Sequence, residues 1–67
     1  MTLREAVSKV NSVRMKYYAR AQLLGYLLQI AIYGWDVVET IPIHSRYRLL
    51  AQLKKLGIDP NDITPDL

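Results

Sequence analysis

Few side chains in this sequence could do chemistry. There is one histidine, His44, next to Ser45; there are six acids and no cysteine. A Ser–His–acid relay needs its three groups to converge beside an oxyanion hole. Neighbours in sequence do not face each other on a helix, and nothing in the pattern places the nearest acids, Asp36 and Glu39, against His44. Asp59, Asp62 and Asp66 lack the spacing of a calcium loop. Without cysteine there is no thiolate zinc site, and no GxGxxG, P-loop or nucleophile elbow occurs. The expectation is a non-enzyme with no catalytic, metal or cofactor site.

The most suggestive pattern is cationic and aromatic. Arg14-Met15-Lys16-Tyr17-Tyr18-Ala19-Arg20 interleaves three cations with two tyrosines, and Arg46-Tyr47-Arg48 repeats the idea. Such residues neutralise phosphate and stack on bases. They also steer an acidic protein. Lys9, Arg14, Lys16, Arg20, Arg46 and Arg48 are the candidates for either task. Residues 1–34 carry five bases against one acid, and residues 35–67 carry four against five, within a net charge of +3.

These residues must be held by a very small body. The chain has 67 residues, 51% of them apolar, so it forms one domain over 1–67 rather than a disordered tail. Mass scaling gives about 4,300 Å² of surface folded against about 11,200 Å² unfolded, a marginal burial for a monomer. Disulfides are unavailable, which fits a reducing, cytoplasmic location. Residues 2–20 hold six charges and no early apolar run, unlike a signal peptide. The most apolar window, 21–33, is shorter than the roughly 20 residues that cross a bilayer.

Elements follow from caps and periodicity. Thr2-Leu3-Arg4-Glu5 reads as a capping box. Leu3, Ala6, Val7, Val10, Val13 and Tyr17 form one apolar seam, opposite Glu5, Lys9, Lys16 and Arg20. Asn11-Ser12 is its weak point. Beyond Arg20 the pattern changes: Leu23, Leu27 and Ile30 continue the formerly charged face. Only Gln22, Gly25 and Gln29 stay non-apolar. Gly34 suits a C-cap, and residues 34–44 read as a connection with one helical turn before Pro42. A second helix spans about 45–56, capped by Ser45 or Thr40, and Leu56-Gly57-Ile58 has a Schellman ending. Asp59-Pro60 starts one more turn, and 59–67 reads as an acidic, frayed tail.

The fold class is therefore all-α: a helical hairpin with a long first helix over about 3–33. That helix would be about 46 Å long, against roughly 28 Å for a compact chain of this size. Either it breaks near Asn11-Ser12 into a three-helix unit, or another chain covers its apolar girdle. The second solution is favoured here, because a hairpin dimer completes a four-helix bundle. It makes Leu23, Tyr26, Leu27, Ile30 and Trp35 the partner interface. The expected function is a non-catalytic protein–protein interaction module: an adaptor, assembly factor or small regulator, acting as a homodimer or within a larger complex. The alternatives are a small basic regulator that binds DNA or RNA, and an accessory subunit at a membrane.

Overall fold

The computed structural model describes residues 1–66 of the chain. They form α1 (Leu3–Asn11), α2 (Tyr17–Tyr33), α3 (Asp36–Thr40), α4 (Ile43–Leu56) and a closing 3₁₀ turn at Pro60–Asp62, with no strand among the described residues. The chain is all-α. The Thr2 hydroxyl accepts the Glu5 amide at 3.2 Å, as the capping box requires. The carboxylate does not reach back to the Thr2 amide; it accepts the Thr2 hydroxyl instead.

The single helix expected over 3–33 is two. Ser12 ends α1: its hydroxyl donates to the Lys9 carbonyl at 2.7 Å, a local bond that competes with helix propagation. Lys16 is extended, and α2 begins after it. The reason lies in the change of face. Leu3 and Leu23 lie about 200° apart around a continuous helix, so one straight rod turns its two apolar arcs away from each other. Breaking the rod brings them together. Leu3, Ala6 and Val10 of α1 share one core with Leu23, Leu27, Ile30 and Ala31 of α2. The radius of gyration is 10.8 Å, close to the roughly 11 Å of a compact chain this long. No second chain is needed to cover the girdle's inner side.

Arg20 holds the fold-back. It stands in the first turns of α2, and its guanidinium donates to the carbonyls of Asn11 (3.2 Å) and Val13 (2.9 Å), where α1 ends. The next corner repeats the device. Arg46, in the first turns of α4, donates to the carbonyls of Glu39 (2.8 Å) and Ile41 (3.1 Å), where α3 ends. Each serves one carbonyl in the last turn of a helix and one just past its end, where amide partners run out. The Arg46 Nε is buried without a partner.

Gly34 separates α2 from α3 at φ +85°, ψ −168°, a region open essentially to glycine, rather than in the left-handed helical well its place suggests. The helical turn expected after it is α3. The last long helix starts at Ile43, with Pro42 in the cap position and no side-chain cap. Neither expected cap serves there: the Thr40 hydroxyl donates back to the Val37 carbonyl. Gly57 is left-handed, and its amide and that of Ile58 donate to the Lys54 and Leu53 carbonyls, the two Schellman bonds.

The C-terminal stretch is not a frayed tail through residue 64. Asp59 caps the 3₁₀ turn through the Asn61 amide, and Ile58 and Ile63 are buried. Thr64 pairs with the opposite end of the chain: the Leu3 amide donates to its carbonyl and its amide donates to the Met1 carbonyl, both at 2.9 Å. The Met1 ammonium donates to the Asp62 carbonyl at 2.9 Å and faces its carboxylate at 3.4 Å. Burying two isoleucines beside satisfied backbone groups outweighs the fraying expected from composition. Leu67 lies outside the described residues.

Candidate interaction surface

Three of the five expected interface residues are core. Leu23, Leu27 and Ile30 are exposed by 2%, 0% and 1%, since the break before α2 turns their face inward. Tyr26 is half-buried beside α4, and Trp35 is partly exposed at the corner after α2. Tyr17, read as the end of the α1 seam, is instead the first residue of α2 and stands in solvent.

The charged candidates divide likewise. Arg20 and Arg46 are half-buried and committed to carbonyls. Lys9 is exposed, but its Nζ lies 3.7 Å from where a Cβ on Gly57 would stand, at the C-terminal end of α4. A cation there suits the negative end of the helix dipole. Thus α1, α3 and α4 each have a cation at the C-terminal end. Arg14, Lys16 and Arg48 remain exposed with no ion pair among the described residues; the pair there is Met1–Asp62.

What the girdle leaves uncovered is the outer side of α2. Tyr17, Leu28 and Ile32 are 86%, 48% and 56% exposed, with Tyr18 and Tyr33 also outward. Ala21, Gln22, Gly25 and Gln29 complete this face. It carries no charge: Arg20, the sole charged residue of α2, points the other way to close the corner. Gly25 is the middle residue of α2 by count and stands at the centre of the outward arc. A Cβ there would meet nothing within 4 Å. Sequence reasoning missed this surface because it assigned Tyr17 to the seam and gave the partner the face of Leu23, Leu27 and Ile30. The signal was present in the Gln22-Gly25-Gln29 stripe, which marks the side that faces water.

No protein-family model, curated protein or solved structure matches this chain. The surface must be read from its own chemistry.

Beside that face, a groove of about 150 Å³ runs between α2 and α4. Its lining includes Tyr18, Gln22, Tyr26, Ser45, Arg48 and Gln52. It offers amides, hydroxyls and one cation to a polar ligand. His44 is exposed in the first turn of α4. No three His, Asp or Glu side chains converge as a metal site among the described residues. No helix is long and apolar enough to cross a membrane.

Proposed function

We propose that this chain is a non-catalytic protein–protein interaction module, an adaptor or small regulator whose contact surface is the outer side of α2. One observation carries the reading: a 17-residue helix turns Tyr17, Tyr18, Leu28, Ile32 and Tyr33 to solvent with no charge among them. Solvent faces of small helices are normally charged, while aromatic enrichment with charge depletion marks interface cores. Exposed apolar patches of a few hundred Å² commonly mark such sites. A cytoplasmic location belongs to the same proposal, on the cysteine-free composition.

The test is the double variant Leu28→Glu/Ile32→Glu in the full chain. Both positions are exposed, so circular dichroism should show an unchanged fold. Chemical cross-linking in the native source should lose the adducts that the unmodified chain forms. Adducts that survive in the variant would refute the reading.

A second reading is favoured by the groove, where Tyr18 and Arg48 lie beside two glutamines. It is recognition of a single-stranded nucleic acid through stacking and phosphate contact. It requires binding that weakens steeply with salt, and no binding at low salt eliminates it.

A further inference from the structure

We infer that the occupant of the outer α2 face is a second copy of this chain, docked antiparallel across a two-fold axis at Gly25. The inference rests on the interaction-module reading and adds the partner and the register.

The first ground is the placement of Gly25. Eight residues of α2 precede it and eight follow, so a two-fold axis there overlaps the whole helix with its copy. A two-fold contact uses the same patch on both subunits. Tyr17 then lies across from the second copy's Tyr33, Tyr18 from its Ile32, and Gln22 from its Leu28. Nothing inside the chain calls for a glycine at this position, because an added Cβ would meet open space. A small residue where two helices cross lets their backbones approach closely, and glycine at the crossing point opposes only itself.

The second ground is charge. Arg14 and Lys16 stand just before α2, and Asp36 stands just after it; all three are exposed and unpaired among the described residues. Antiparallel docking sets the cations of one copy beside Asp36 of the other, at both ends of the contact. Parallel docking sets like against like. The same arrangement answers the helix ends. Within the chain, cations stand at the C-terminal ends of α1, α3 and α4, but no cation hydrogen-bonds the last carbonyls of α2 among the described residues. Lys16 of the second copy arrives there, and the two α2 dipoles run antiparallel.

The third ground is area. The described fold exposes 4778 Å², roughly 450 Å² more than mass scaling gives a monomer of this size. One helix face per copy falls at the small end of specific interfaces, below about 1,200 Å² in total, so the dimer should depend on concentration.

Sedimentation equilibrium of the full chain tests the pairing, with circular dichroism of each variant. The expected result is a monomer–dimer equilibrium for the unmodified chain. Gly25→Leu, which has room in the monomer, should keep its helicity and sediment as a monomer. Lys16→Glu alone and Asp36→Lys alone should each weaken the dimer several-fold, and the two together should restore it, because only antiparallel docking pairs these positions. An unmodified chain that stays monomeric up to roughly 1 mM overturns the inference, as does a dimer indifferent to Gly25→Leu, a failed charge-swap rescue, or a monomer that instead binds an oligonucleotide. A monomer whose cross-links in the native source still vanish in Leu28→Glu/Ile32→Glu would overturn the second copy and leave the interaction module standing.

Discussion

The inner side of α2 presents Leu23, Leu27, Ile30 and Ala31 to the rest of the chain, and the outer side presents Tyr17, Leu28, Ile32 and Tyr33 to water. The outer side carries no charge, and the inner side carries one, Arg20, whose guanidinium is spent on the carbonyls of Asn11 and Val13. The two sides differ in what the chain has left to cover them with. Nine residues of α1, five of α3, the fourteen of α4 and the C-terminal stretch suffice for one side of a helix and not for two. The inner side therefore defines the fold, and the outer side is free for something outside it. Net hydropathy along 21–33 does not distinguish these roles; only the break at 12–16 does, because it decides which arc faces α1.

Substitutions on the two sides should diverge accordingly. The largest effect is expected inside. Leu27 is fully buried, and Leu27→Ala should destabilise the fold by about 2–5 kcal/mol, enough to unfold a chain this small at ordinary temperature. Urea denaturation followed by circular dichroism measures it. A loss below about 1 kcal/mol, closer to the effect of a surface substitution, would mean that the inner side is not the core.

Arg20 comes next, since it ties the corner that brings α1 onto the inner side. Arg20→Met removes two hydrogen bonds from a charged donor to the carbonyls of Asn11 and Val13, at an expected cost of about 1–3 kcal/mol. Arg20→Lys should recover part of this, because a single ammonium cannot imitate the guanidinium fork. If Arg20 instead steers a partner, stability would not change and association would. Comparing denaturation midpoints with association rates separates the two.

The smallest effect has the opposite sign. Gly25→Ala removes an exposed mid-helix glycine with open space above it and should stabilise the fold by up to about 1 kcal/mol. Thermal unfolding would rise by several degrees, roughly 4–8 °C per kcal/mol for a domain of this size. It is measured at dilution, so that any pairing of copies does not contribute. A destabilised monomer would show that Gly25 serves the chain's own packing.

Where local chemistry sets structure, the sequence was readable. Thr2 starts α1, Gly34 stops α2, Gly57 closes α4 and Asp59-Pro60 starts the last turn, because each needs only residues within one helical turn. The break at Ser12 was visible as a weak point and as a shift of the apolar face, yet helix propensity alone could not decide between bending and pairing. The roles of Arg20 and Arg46 could not be read at all, because each depends on where the chain returns after a corner. For the same reason Leu23, Leu27 and Ile30 looked like an interface: the segments packed on α2, which include α1, α3 and the closing turn, lie beyond a corner of the chain. The C-terminal pairing was hidden by composition, since Asp, Pro and Thr suggest fraying until Thr64 finds Leu3 and Met1.

That pairing makes the backbone nearly a closed ring. Thr2 and Thr64 lie side by side in a parallel bridge, so a short linker there could close the backbone of residues 1–66 on itself and new ends could be opened elsewhere. The corner at Gly34 is exposed and makes a suitable cut. Such a circular permutant would carry its free ends at the C-terminal end of α2, and the order of helices along the chain would change while their arrangement in space stayed the same.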